Sequence, residues 1–147
     1  MSDRPSKLFV SIAILGGILA VSTASIFIRF AQREAPSLVV AADPGRLRQV
    51  FANLLGNAAQ AGASHIEISR ESARGFAVIT VHDDGPGIDA GIRERLFDPF
   101  ATGRKDGTGL GLAICRRIAE AHGGDLQALP GEGTGSTFRM RFPMAGE

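Results

Sequence analysis

The chain has no tryptophan, no tyrosine and one cysteine, Cys115. A lone thiol excludes an intrachain disulfide, and the helical pattern around Cys115 reads as a small core residue. Neither charge sign is in excess: 16 Lys and Arg face 15 Asp and Glu, a net of +1. That excludes the broad basic surface of a general nucleic-acid binder, and no nucleic-acid partner is expected. Arg46, Arg48 and Arg70 are scattered and read as solvated positions. There is no internal repeat and no low-complexity tract. Glycine, by contrast, is plentiful, with 19 in 147 residues, a length that suits one domain.

Charge is also missing locally. Residues 8–28 form a run of 21 without a charged side chain. As a helix rising about 1.5 Å per residue this run would cross about 30 Å, the thickness of a bilayer core. A cleaved signal peptide is the competing reading, with Val21–Ser25 as its small-residue end. Against it, apolar character resumes at Ile26, Phe27 and Ile28. Arg29 and Arg33 follow, while Arg4 and Lys7 precede and are partly offset by Asp3. The charge bias leans toward a cytoplasmic C-terminal side. The expectation is a single-pass helix in a bacterial inner membrane, with residues 1–36 as tail, helix and linker and residues 37–147 as a cytoplasmic domain. The segment AVSTASIFIRFAQREAPSLVVAA, within residues 15–42, also resembles the first helix of drug/metabolite transporters. It covers one helix of a ten-helix family, implies no transport, and points to a fusion seam near Ala42.

Within the second part, Leu38–Ala41 is a short apolar run expected as a first strand. Asp43-Pro44 is a helix start, with Asp as N-cap and Pro in the first turn. Leu47, Val50, Phe51, Leu54 and Ala58 then recur at helical spacing, and Gly62 closes the helix. Ile66 and Ile68 alternate with polar residues as a strand, and Gly75 turns the chain. Ala77, Ile79, Val81 and Asp83 share one face of the next strand, because side chains alternate with period two. A second helix is expected from about Thr108 to His122, stopped by Gly123-Gly124. Leu126–Leu129 and Thr137–Phe142 read as a closing hairpin. The expected fold class is α/β: a two-layer sandwich, with helices on one face of a mixed sheet.

Three groups of residues carry chemistry. Asn53 and Asn57, four apart, share a face with Arg46, Gln49 and Gln60. They are either a solvated polar stripe or a pair of amides meeting a ligand or metal; an Asn carbonyl is a hard oxygen that suits Mg2+. Asp83 points inward at a strand end, where a carboxylate is costly unless it meets a donor such as an adenine amino group. Gly85 and Gly87 let the backbone turn tightly beside a flat ring, although a plain Asp-Gly turn gives the same letters. Gly107-Thr108-Gly109-Leu110-Gly111-Leu112 opens the second helix, whose free N–H groups and dipole favour an anion. No Gly-Lys-Ser/Thr follows, so this is not a P-loop.

RLRQVFANLLGNAAQA, DDGPGI, LFDPFATG, GTGLGLAI and GEGTGSTFRMRFP occur in that order between Arg46 and Pro143. Together they resemble the asparagine, first glycine, phenylalanine and second glycine boxes and the closing hairpin of the catalytic domains of bacterial sensor histidine kinases. The wider group is the GHKL ATPases, with a Bergerat-type ATP-binding fold. The resemblance implies ATP and Mg2+ as cofactors. It implies that Asn57 holds Mg2+ bridging the phosphates and that Asp83 binds adenine, with Thr137 helping through a water. Gly85 and Gly87 would shape the adenine pocket. Phe97 and Phe100 would anchor a lid over Asp98–Asp106, in which Arg104 or Lys105 is either a phosphate contact or a solvated charge. Gly107, Thr108, Gly109, Leu110 and Gly111 would form the phosphate end. Gln60 stands where many of these kinases carry Lys.

Position 53 separates reaction classes in that group. Its hydrolases place a Glu there as general base, and an amide cannot accept a proton near neutral pH. Asn53 therefore implies tight binding and slow hydrolysis, suited to transfer to an imidazole. The family's acceptor histidine lies on a dimerising helical hairpin before this domain. Residues 29–42 are too few for two long helices, and His65, His82 and His122 lie in unsuitable contexts. The expected partners are thus an acceptor hairpin in another chain and, through it, a response regulator. A non-catalytic nucleotide-binding module is the alternative. A transporter-related protein with an incidental tail, which would bind no ATP, is a third.

Overall fold

The computed structural model describes residues 8–13, 43–103, 107–130 and 134–144. Helix α1 spans Pro44–Gln60, and its start is as the sequence expects: Asp43 Oδ1 accepts the Gly45 N–H at 2.7 Å. One such cap satisfies an otherwise orphaned donor, worth about 1 kcal/mol. Leu47, Val50, Phe51, Leu54, Leu55 and Ala58 form its buried stripe. Gly62, at φ +85°, turns the chain out of the helix.

Strands β2 (His65–Ala73) and β3 (Phe76–Asp83) form a hairpin. Its two-residue turn, Arg74 and Gly75, takes φ +50° and +81°. Two successive positive φ values match the right-handed twist of the flanking strands, and this tightly fixes the register. A short 3-10 turn, Arg93–Arg95, precedes helix α2 (Gly111–Ala121), and strands β4 (Asp125–Leu129) and β5 (Ser136–Pro143) close the chain. Strand β1, Leu8–Ala13, pairs with β2 from Leu8↔Arg70 to Ala13↔His65. The sheet order is β1-β2-β3-β5-β4.

Period two divides the sheet into two faces. Ile66, Ile68, Ala77, Ile79, Val81, Leu126, Phe138, Met140 and Phe142 join the buried stripes of both helices in one core. Each such side chain is worth about 1.5–3 kcal/mol when fully buried. Thr80, His82, Thr137 and Arg139 lie on the opposite face. The expected two layers are therefore present, with the helices on one face.

Several expectations are corrected. The sheet is not mixed: among the described residues all four strand pairings are antiparallel. Short turns of the Arg74-Gly75 kind can join only antiparallel neighbours. The expected membrane helix from Leu8 does not hold over Leu8–Ala13, which is strand β1. The rest of that run, residues 14–28, lies outside the described residues. No helix among the described residues is long and apolar enough to cross a membrane. The strand expected at Leu38–Ala41 also lies outside the described residues. Helix α2 starts at Gly111 rather than Thr108, because Gly109 holds φ +65°, which no α-helical residue adopts.

Candidate functional site

Asp83 ends β3 on the core face and is 5% exposed, the one buried charged side chain among the described residues. Its Oδ1 accepts the Gly85 N–H at 2.9 Å and the Ser136 N–H at 3.3 Å. Both bonds fall on Oδ1, so Oδ2 is the oxygen left for a ligand's donor. Glycine geometry keeps this corner open. A Cβ on Gly85 would stand 2.8 Å from Asp83 Oδ1. Gly87, at φ +87°, passes close to the Gly135 carbonyl, and Gly135, at φ +99°, packs so tightly on the Asp83 carbonyl that a Cβ there would overlap it. Ala61 and Ala63, beyond the end of α1, lie beneath Gly85.

Thr137 does not join this corner. The register pairs Asp83 with Ser136 and His82 with Thr137. Thr137 thus projects from the other face, where its Oγ1 meets His82 Nδ1 at 2.9 Å. One residue along a strand means the other side of the sheet, so Thr137 lies away from Asp83, while Ser136 pairs with it and Gly135 packs on its carbonyl. Counting back in steps of two from the inward-facing Phe138 would have found Ser136.

Asp84, next along, serves structure instead. Its Oδ1 accepts the Ser64 and His65 N–H groups at 2.7 and 2.9 Å, fixing the start of β2. The His65 N–H above all holds its carboxyl below the usual carboxylate range.

The second corner is the start of α2. Leu110 is the N-cap residue and supplies no side-chain cap, so the first-turn N–H groups are available to an anion. Thr108 Oγ1 accepts the Leu110 N–H at 3.4 Å. Gly109 lies against the Phe100 backbone, where a Cβ would overlap it, and the Gly109 carbonyl accepts the Phe100 N–H at 3.0 Å. This contact closes the base of the loop between them. Phe100 itself sits at φ +68° and is 74% exposed, while Phe97 packs on the core and carries the Arg116 guanidinium 5.5 Å from its ring centre. Gly107 lies at the near end of the loop; Arg104 and Lys105, within it, lie outside the described residues.

Helix α1 lies beside both corners. Asn53 and Asn57 are half-buried on one stripe, as expected. Asn53 Nδ2 donates to the Gly111 carbonyl at 3.2 Å and reaches Cys115 Sγ at 3.6 Å, so this amide fastens α1 to the start of α2. The approach does not depend on glycine at 111, since a Cβ there would meet the Asn53 side chain at an ordinary contact distance of 3.7 Å. Cys115 is fully buried, and burial pushes its thiol up to about 11, which suits a core residue and not a nucleophile. No cluster of three or more His, Cys, Asp or Glu side chains able to hold a metal occurs among the described residues. A protein-built metal cage is thus not provided there. A cation carried in by phosphates and touched by one amide oxygen fits this donor set, as Mg2+ commonly binds.

The wider relationships agree with this geometry. Residues 42–146 match the family model of the histidine kinase-, DNA gyrase B- and HSP90-like ATPases. The chain is 42% identical over 107 residues to the sensor histidine kinase ZraS of Escherichia coli K12, covering 71% of this chain and 23% of ZraS. It is 45% identical over 104 residues to the C4-dicarboxylate transport sensor protein DctB of Rhizobium meliloti, covering 68% of this chain and 17% of DctB. The chain therefore spans about a quarter or less of the length of these relatives. Among solved structures, full-length ShkA in complex with AMPPNP superposes with a TM-score of 0.64 at 25% identity, over 93% of this chain and 32% of ShkA. The catalytic domain of the histidine kinase ThkA gives 0.62 at 25% identity, over 93% and 96%. The chain belongs to the histidine kinase-, DNA gyrase B- and HSP90-like ATPase family, and residues 42–146 are an ATP-binding domain of the histidine-kinase kind.

Proposed function

We propose that this domain binds Mg-ATP between its two glycine corners and passes the γ-phosphate to a histidine on a dimerisation hairpin in another chain, from which a response regulator would draw it. The observation that carries the reading is the Asp83 carboxylate, buried at a strand end with both backbone bonds on one oxygen and with Gly85 and Gly135 packed against it. In this reading Asp83 Oδ2 accepts the adenine amino group. Ser136 replaces Thr137 as the hydroxyl beside it, since it pairs with Asp83 in register. The phosphates lie at Gly107–Gly111, where the start of α2 offers N–H donors. Asn57 supplies the amide oxygen nearest the phosphates. Mg2+, when bound, would offset phosphate charge.

Asn53 is the position that selects transfer over hydrolysis. Its amide offers no base for water, and its Nδ2 is already committed to Gly111 and Cys115. Attack is then left to a nucleophile that needs no activation, and an imidazole is one. What the domain contributes is position and charge stabilisation.

The test is Mg2+-dependent ATP binding by the full chain and by Asn57→Ala, followed by phosphate transfer to a separately made acceptor hairpin. The expected result is binding by the parent, loss of the Mg2+ dependence in Asn57→Ala, and labelled hairpin. Binding without transfer to any hairpin would favour the non-catalytic module, and no binding would remove the nucleotide reading altogether.

A further inference from the structure

His122 follows the last residue of α2, and both of its ring nitrogens are engaged. Nδ1 lies 2.7 Å from the Ile118 carbonyl oxygen, and Nε2 receives the Asp43 backbone N–H at 3.1 Å. These partners fix the tautomer. A carbonyl can only accept, so Nδ1 carries the proton; an amide N–H can only donate, so Nε2 is bare. The ring is thus a neutral bridge from the end of α2 to the residue that caps the start of α1.

A second bridge spans the same two helices at their other end. Asn53 lies ten residues along the chain from Asp43 and bonds Gly111, which opens α2. Both stretches amount to about 15 Å of helix. The antiparallel helices are therefore bridged by side chains at two points, one at the phosphate end of the nucleotide site and one at Asp43, where α1 starts. Between the two bridges the helices pack through Val50, Leu54, Cys115 and Ile118, and Cys115 Sγ also donates to the Val50 carbonyl at 3.7 Å.

We propose that His122 is a positioning residue that couples the chain's arrival at Asp43 to the phosphate end of the nucleotide site, and that it does so only as a neutral imidazole. The proposal rests on the ATP reading of that site. A proton added at Nε2 would place a donor against the Asp43 N–H and open this bridge, leaving α1 and α2 held by Asn53 and by their buried contacts. The charged groups on the surrounding elements are engaged elsewhere. Asp43 Oδ1 holds the Gly45 N–H, and Arg46 reaches Gln49 on α1. Glu120 pairs with Arg116 on α2, and Asp125 of β4 pairs with Arg141 of β5. Arg117 on α2 is exposed. The bridge at Asp43 therefore answers to the protonation of His122 itself.

The experiment compares Mg-ATP affinity of the full chain, His122→Gln and His122→Ala across mildly acidic to mildly basic pH. The nucleotide's own phosphate and the other two histidines are common to all three proteins, so the difference between profiles isolates His122. A glutamine carbonyl can accept the Asp43 N–H and takes up no proton. His122→Gln should bind within about threefold of the parent at neutral pH and lack the parent's extra loss of affinity on acidification. His122→Ala should bind about threefold to tenfold more weakly at every pH, the worth of one hydrogen bond. Parallel pH profiles for the parent and His122→Gln would overturn the proposal even if His122→Ala fails to fold. A folded His122→Ala with parental affinity would do the same. Absence of ATP binding by the parent would instead sink the reading of the site, and the coupling with it.

Discussion

Replacing Asp83 by asparagine separates the two jobs of this side chain. In the native chain Oδ1 accepts two backbone N–H groups, from Gly85 and Ser136, and in the proposed reading Oδ2 takes the ligand's donor. The asparagine carbonyl can stay where Oδ1 is and keep both bonds, while an NH2 group replaces the acceptor. Folding should then change by less than about 1 kcal/mol, because no donor is orphaned. ATP affinity should drop steeply. A hydrogen bond to an ionised acceptor is worth about 1.5–3 kcal/mol, so the loss is about 10- to 150-fold, and more where two donors now face each other. Asp83→Ala is the contrasting variant. It orphans both N–H groups at about 1–3 kcal/mol each and should lower the melting temperature by about 10 °C or more, since 1 kcal/mol corresponds to about 4–8 °C in a domain of this size. Calorimetric titration with Mg-ATP and thermal melting of the full chain read the two effects separately. An Asp83→Asn protein that binds ATP within threefold of the parent would refute the assignment of Oδ2 to the ligand. One that melts as early as Asp83→Ala would refute the assignment of Oδ1 to the fold.

Two further outcomes follow from local geometry. Phe100 holds φ +68° with an exposed ring, and a left-handed backbone costs a bulky residue about 1–2 kcal/mol. Asparagine tolerates that conformation, so Phe100→Asn should melt higher by a few degrees; a lower melting point would mean the exposed ring contributes packing. Cys115 is shifted from 9.0 to about 11 by burial. Its folded value is raised, so its contribution is fully present below pH 9 and is lost as pH rises through about 11, a difference of about 2–3 kcal/mol. Stability of the parent relative to Cys115→Ala should fall across that window, and the thiol should resist alkylation at pH 8 until the chain unfolds.

Much of the fold was legible because local signals and the core agree. The Asp43-Pro44 cap, the five-residue stripe from Leu47 to Ala58 and the alternation from Ala77 to Asp83 each bury the residues that their periodicity selects. The two asparagines fall on one half-buried stripe for the same reason. What was not legible depends on contacts between distant segments. Residues 8–28 have an apolar composition that suits a membrane helix, yet Leu8–Ala13 lies along β2. A short apolar run rich in leucine, valine and isoleucine is compatible with a strand or a helix, and only the partner decides. Likewise Asn53 reads as a free amide in one dimension. Its bond to Gly111 crosses 58 residues, and no spacing rule points to it.

Ser136 and Thr137 mark the boundary most sharply. Both are hydroxyl residues, adjacent, in the same glycine-rich hairpin, and a motif read as letters cannot choose between them. The sheet can. Phe138 and Met140 must face the core, because each is almost fully buried. Ser136 shares their parity and faces Asp83, and Thr137 faces His82 on the far side. The hydroxyl beside the buried carboxylate is therefore set by where the apolar residues of β5 must go. A change that shifted the register of β5 by one residue would exchange the two hydroxyls, and it would also expose Phe138, Met140 and Phe142. The packing of those three side chains, worth about 1.5–3 kcal/mol each when fully buried, is what holds Ser136 beside Asp83.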